Sequence, residues 1–279
     1  MKKNRVIVFG GSGFIGRNFC KLLKRKNVPY VSMGSKEIDF LKKESVNKVV
    51  SKIKKNDCIF FSSSIAPCKD FKMYEKNFSI IKNFIEALKK NDEYSQLIYI
   101  SSDAVFADTK KKINENSNKS PDNLHGLMHF QRETLLNNLI PKNKLCIIRP
   151  TLVFGHDDPH SGYGPNQFYR LSKLNKNIRL FGKGEELRDH IYIDDLVRII
   201  FLCYKKKFIG DLNAVTGKVM SFLSIAKYFS NKFKVNIEFL KRVGPMPHNG
   251  YRAFNNYKIK KNFPKFKYRK FENYLSNLS

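Results

Sequence analysis

The sequence predicts an α/β fold: a doubly wound parallel sheet covered by helices on both faces and followed by a small C-terminal lobe. Three observations predict it. Short continuous apolar runs alternate with amphipathic stretches through the first 150 residues, and a cluster of glycines stands between the first run and the first amphipathic stretch. After Pro150 the alternation gives way to turn-rich segments. Strands buried on both faces need such runs, because successive side chains point to opposite covered sides.

The elements follow in order. Residues 5–9 (RVIVF) form a β-branched strand, and residues 14–24 an amphipathic helix after the glycines. The unit repeats as strand 30–33, helix 44–53, strand 58–61, helix 74–88, strand 97–100, helix 124–138 and strand 145–148. Residues 108–123 (DTKKKINENSNKSPDN) are polar and helix-breaking, and so predict a loop. Residues 155–165 predict a second loop, residues 194–204 and 221–232 two more helices, and the last forty residues, with Pro245, Pro247 and Pro264, an irregular lobe. The expected division is a Rossmann-like sheet domain over 1–160 and 190–215, with a smaller lobe over 161–189 and 216–279.

Composition limits the function classes. With 279 residues, 42% hydrophobic and 13% aromatic, the chain builds a sizeable core, which excludes general disorder. No run of 18 apolar residues predicts a spanning helix, and the apolar stretch Val6–Phe9 is too short for a secretion signal. Cys20, Cys58, Cys68, Cys146 and Cys203 are odd in number and lie mostly in apolar runs, which suits reduced buried thiols; a cytosolic protein is expected. The net charge of +29 invites a polyanion partner, yet the excess is lysine scattered among Asn, Ile and Phe, with no basic helix. Neither nucleic acid nor membrane is expected as a partner.

The segment Gly10-Gly11-Ser12-Gly13-Phe14-Ile15-Gly16 lies between strand and helix. Glycines there permit a tight turn and close approach of a pyrophosphate to a helix N-terminus, whose unpaired amides and dipole favour anions. About twenty residues on, an acid would bind the ribose of NAD and a base the 2′-phosphate of NADP. The position holds Lys36, in Gly34-Ser35-Lys36, so NADP is expected; Glu37 or Asp39 would serve NAD as the alternative.

Taken together, several segments resemble the extended short-chain dehydrogenase/reductases that act as sugar-nucleotide epimerases, dehydratases and reductases on a Rossmann-type fold. They are GGSGFIG from Gly10, Glu37-Ile38-Asp39-Phe40, Asn77, YISSDAVF from Tyr99, IRPTLVFG from Ile148, GPNQF from Gly164 and FGKGEELRDHIYIDDL from Phe181. The resemblance implies cofactor contacts at Gly10, Gly13, Phe14, Ile15 and Gly16, at Ser35, Lys36 and Asp39, and at Ser62, Ser63, Asn77, His129 and Pro150. It implies substrate contacts at Asp103, Asn166, Arg188 and Arg252, the two arginines facing a nucleotide diphosphate, and a hydrogen bond from Ser102 to the reacting sugar oxygen. A nucleoside-diphosphate sugar is the expected substrate, and a homodimer is compatible with the resemblance.

The chain departs from the family at its centre. Where Tyr-Gly-x-x-Lys and a following Glu are expected, it reads His125-Gly126-Leu127-Met128-His129, with Glu133 in register. Tyrosine, with an ordinary pKa near about 10, needs a cation to act near neutrality, whereas imidazole titrates near about 6.5 unaided. The candidate catalytic residues are therefore His125 as acid/base, Ser102 as its hydrogen-bonding partner, and His129 in the place of the ribose-contacting lysine. Their i, i+4 spacing puts both rings on one helix face.

Three alternatives compete, the third being that His125 and His129 are ordinary solvated surface histidines. His125 with His129, and His156 with His160 beside Asp157 and Asp158, have zinc-like spacing, but neither pair carries a third ligand nearby, so no metal is expected. The second is a non-catalytic NAD(P)-binding sensor or scaffold that has lost the Tyr/Lys chemistry. For an active enzyme, Ser102-Asp103-Ala104 lacks the glutamate that drives elimination in the family, which argues against a 4,6-dehydratase. Epimerisation through a transient keto sugar, or reduction of a keto sugar, remains, with a lean to reduction from Lys36 and the Glu37-Ile38-Asp39 segment.

Overall fold

The computed structural model describes residues 4–155, 158–159, 162–269 and 273. In chain order the strands and helices are β1 (Val6–Phe9), α1 (Phe14–Arg25), β2 (Tyr30–Met33), α2 (Ser45–Lys52), β3 (Cys58–Phe61), α3 (Phe71–Lys90), β4 (Gln96–Ile100), α4 (Leu124–Leu139) and β5 (Leu145–Pro150). Next come β6 (Leu152–Phe154), α5 (Pro165–Lys173), β7 (Ile178–Phe181), β8 (Leu187–Tyr192), α6 (Ile193–Lys205), β9 (Gly210–Ala214), β10 (Val219–Ser221), α7 (Phe222–Phe233), β11 (Ile237–Leu240), β12 (Tyr251–Arg252) and α8 (Tyr257–Asn262). They fall into two compact units, the first comprising Met1–Ala107, Ser117–Pro150 and Val197–Asn213, the second the remainder.

The first unit is built on a six-stranded sheet of order β2-β1-β3-β4-β5-β9, in which β1 to β5 run parallel. From β1 the chain moves to β2 on one side and then to β3 on the other. The carboxyl ends of β1 and β3 thus flank a topological switch point, where open α/β sheets leave a crevice. Every residue of β1, β3 and β4 is buried, as strands covered on both faces require, and all are apolar except Gln96 at the start of β4. On one face Phe61 stacks on Phe84 of α3 at 3.8 Å, and Phe9 and Phe40 meet the same ring edge-on at 5.8 and 5.9 Å. Burial of each ring contributes about 1.5–3 kcal/mol. Phe40 belongs to the stretch after β2, so this cluster also pins the chain that rims the crevice.

The second unit holds β10-β8-β12 with β6 on β8, and a separate β7/β11 pair. Tyr163 packs against Phe168, Phe181 and Phe222. Of these short strands β12 lies in the expected irregular lobe, while β6, β7, β8 and β10 lie in stretches after Pro150 for which the sequence predicts no strand. Within the stretch 108–116, read as loop, Ile113 is buried and forms a parallel bridge with Phe254. All five cysteines are buried and free. No helix among the described residues is long and apolar enough to cross a membrane.

Candidate active site

The crevice at the switch point starts from glycine. Gly10 has φ of 85°, a left-handed conformation that side chains resist, and a Cβ on Gly16 would lie 2.1 Å from the Gly10 carbonyl oxygen. Helix α1 can therefore start directly against the end of β1 only with these residues. Its first internal bond runs from the Arg17 N–H to Gly13 O, and Gly13 offers no capping side chain. The amides of Phe14, Ile15 and Gly16 accordingly have no acceptor within the helix, the arrangement that receives a phosphate.

A cleft of about 330 Å³ opens there, walled by Gly10, Ser12 and Gly13, by Ser35 with Ile38 to Leu41, and by Ser62 to Ile65. The backbone cradle and volume fit the pyrophosphate and adenosine of a dinucleotide. Lys36 is exposed and outside the cleft lining. Glu37 turns its carboxylate back onto the Gly34 N–H (2.7 Å), while Asp39, in the lining, accepts the Leu41 N–H (3.0 Å).

Helix α4 carries the histidines. Asn123 caps it by accepting the Gly126 N–H at 2.9 Å, and Ser102 caps the turn Asp103–Val105 by accepting the Ala104 N–H at 3.1 Å. A Cβ on Gly126 would stand 2.2 Å from Ala104 O, so glycine lets α4 press against that turn. This contact brings His125 to the segment bearing Ser102 and Asp103. His125 is half-buried, and its Nδ1 accepts the Cys68 N–H at 3.4 Å. No hydrogen bond joins it to Ser102. Burial lowers its pKa from the ordinary histidine value; Asp103 opposes this and Arg132 adds to it.

His129 is buried, and its Nδ1 shares a 2.9 Å hydrogen bond with the Tyr99 hydroxyl of β4. Burial, then His125 and Arg132, hold its pKa well below the ordinary value, so it is neutral. Asn77 is wholly buried: its amide donates to Ile65 O and Met73 O and accepts from the Ile65 N–H and from Arg132. It thereby ties the cleft-wall residue Ile65 to α3. Glu133 accepts both Nε and Nη2 of Arg149 at 2.7 Å and the Ser101 hydroxyl at 2.6 Å, fastening α4 to β4 and β5. Pro150 ends β5 and is buried.

Sequence reasoning missed Cys68, Tyr99 and Arg132 as parts of this cluster. Cys68 acts through its backbone amide, which has no sequence signature. Tyr99 lies in the YISSDAVF segment without a role read from it, and Arg132 shares one helix face with positions 125 and 129, where a charged residue ordinarily reads as solvated.

The second unit carries the other expected contacts. Asn166 accepts the Gly155 N–H at 3.2 Å and donates to Asp158 at 2.6 Å. Arg188 pairs with Glu186 at 2.9 Å, while Arg252 and His248 share Asp108 at 2.9 and 2.5 Å. His190 lies two residues after Arg188; burial, then Arg188, push its pKa down to about 3. Both arginines thus form ion pairs with carboxylates. His156 and His160, with Asp157, lie outside the described residues, and among the described residues no group of three or more His, Cys, Asp or Glu could hold a metal.

A parallel sheet with a glycine-floored crevice at its switch point defines a dinucleotide-binding α/β protein. Residues 6–214 match the NAD dependent epimerase/dehydratase family, and the chain belongs to it. An ADP-L-glycero-D-manno-heptose-6-epimerase of Brachyspira hyodysenteriae is 27% identical over 271 residues, covering 84% of this chain and 83% of that one. Two solved structures share the fold. A Thermus thermophilus UDP-glucose 4-epimerase complexed with NAD has a TM-score of 0.82 at 17% identity, over 98% of both chains. A Naegleria fowleri GDP-L-fucose synthetase bound to NADP has a TM-score of 0.78 at 17% identity, over 100% of this chain and 92% of that one.

Proposed function

We propose that this protein is an NAD(P)-dependent epimerase or reductase of a nucleotide-activated sugar, with His125 as the proton carrier. The observation that carries the reading is the seating of α4: Gly126 against Ala104 sets an imidazole, held neutral by burial, beside the turn of Ser102 and Asp103. The nicotinamide cofactor supplies the hydride acceptor or donor. In the oxidative direction the sugar hydroxyl gives its proton to His125 as its carbon loses a hydride, leaving a keto sugar. With the hydride restored to the other face of the ketone, return of the proton from His125 to the oxygen would complete epimerisation. The same two transfers run in reverse on a keto sugar amount to net reduction. A depressed pKa leaves His125 as the base at neutral pH, which favours the oxidative start of an epimerisation.

NADP is the proposed cofactor, supported by Lys36 after Ser35 and by the engagement of Glu37 with the backbone. Asp39 in the cleft lining is the feature that favours NAD. Arg188 and Arg252 are proposed to bind the substrate diphosphate, with Asp103 and Asn166 beside the sugar nucleotide, and Ser102 to turn its hydroxyl to the reacting oxygen. A family member that binds cofactor without chemistry is the second reading, favoured by the missing Ser102–His125 hydrogen bond. Active-site bonds of this kind often form only with substrate present, so the first reading stands ahead.

Thermal stabilisation of the purified protein by NADPH, NADH and a panel of nucleoside-diphosphate sugars, followed by NMR of the incubated sugars, tests this. Stabilisation by cofactor and by one sugar nucleotide that is then converted is expected. Stabilisation by cofactor alone, with every sugar returned unchanged, would establish the second reading.

A further inference from the structure

Arg132 is 1% exposed, yet among the described residues no carboxylate pairs with it. Its Nη1 donates to Ser63 O at 3.0 Å, and its Nη2 to Asn77 O at 2.8 Å and Asn77 Oδ1 at 2.9 Å. Its Nε is buried without an acceptor. Arg149, equally buried, shows the contrast: both oxygens of Glu133 and one of Asp211 neutralise it. An ion taken out of water against neutral acceptors alone loses its hydration without a counter-charge to offset the loss, so a fold that retains one invites a functional reason. The placement suggests which. Ser63 lines the cleft, Asn77 fixes Ile65 of the same wall, and Arg132 lies on the α4 face of His125 and His129, seven and three residues along.

We infer that Arg132 is the fixed cation of this site, a positioning residue on the His125 face of α4 that clamps the Ser63–Ile65 wall of the cleft to that helix. The lysine that the family resemblance places at position 129 is absent, and its charge is supplied from position 132. The sign is unambiguous: a nearby cation disfavours a second positive charge on His125. The other groups facing that ring are Asp103 from the turn after β4, which opposes the effect, His129 from the same helix, which is neutral, and the Cys68 amide from the loop after β3. The inference rests on His125 being the proton carrier.

The test is an NMR titration of the histidine C2–H signals in cofactor-free protein, with His125 assigned through His125→Gln, for wild type, Arg132→Lys and Arg132→Met. The expected result is a His125 midpoint below the ordinary value in wild type, retained in Arg132→Lys and raised by about one pH unit in Arg132→Met. A purely structural arginine predicts that lysine and methionine disturb the fold alike and leave the midpoint unmoved, and that result would overturn the inference. Should Arg132→Met not fold, wild type and Arg132→Lys still decide, because a wild-type midpoint at or above the ordinary value, or a lysine variant in which it rises, overturns it equally. Full turnover in His125→Gln would instead defeat the proposed function while leaving the electrostatic coupling intact.

Discussion

His125 and His129 stand one turn apart on α4 with ring centroids 4.8 Å apart and planes at 90°, and different elements hold them. The loop amide of Cys68 holds His125, and the core hydroxyl of Tyr99 holds His129. Only the first remains half-exposed, so the pair divides into one ring available for proton exchange and one that is part of the core.

His129 should therefore resist conversion to the lysine of its relatives. His129→Lys would place an ammonium beside Tyr99 and the unpaired Arg132, with no carboxylate to receive it. A loss of roughly 3 kcal/mol in urea unfolding is expected. His129→Gln, which keeps a hydrogen-bonding partner for Tyr99, should lose less than half of that.

The two close glycine contacts should separate binding from fold geometry. Gly16→Ala drives a methyl into the Gly10 carbonyl and should weaken dinucleotide binding, read by NADPH fluorescence, by tenfold or more, about 1.4 kcal/mol. Gly126→Ala drives α4 off the Ala104 turn and should destabilise by about 1–3 kcal/mol while leaving the affinity for NADPH within a few-fold.

Lys36 tests the cofactor assignment. Lys36→Glu should cut NADPH affinity about tenfold, or about 1.4 kcal/mol, with NADH affinity unchanged or improved, as isothermal titration would show. Equal effects on both would mean that Lys36 does not meet the 2′-phosphate.

Acid should destabilise the second unit through His190, whose burial holds its pKa near 3. The folded state keeps this ring neutral, whereas the unfolded chain protonates it below about 6.5, so folding stability is complete above that pH. It then falls as pH drops from about 6.5 toward 3, by up to about 1.4 kcal/mol per unit. Urea midpoints at pH 7.5, 5.5 and 4.5 should show this slope, and His190→Phe, placed among Phe154 and Phe222, should flatten it.

Most of the first unit was legible in the sequence because the strands β1, β3, β4 and β5 are buried throughout and its helices are amphipathic, so each leaves its own period; the edge strand β9 was not read. The second was not. Its strands β6 and β10 have three residues and β12 two, too short for any period, and long-range pairing to β8 makes them strands at all. In the site, the glycines and the register of His125 with Gly126 could be read. Arg132 could not, because a charged residue on a helix reads as a solvated face, and only the packing of α4 reveals that this one is enclosed. The commitment of Asn77 to Ile65 and Arg132 was hidden for the same reason.

The most direct measurement is single-turnover hydride transfer at 340 nm, with the converted sugar nucleotide and enzyme-bound oxidised cofactor, across pH 5 to 8 for wild type and His125→Gln. The account predicts a burst in wild type that is level at neutral pH and declines toward acid as His125 protonates, and no pH-dependent burst in His125→Gln. Bursts of equal size and pH profile in the two proteins would contradict it.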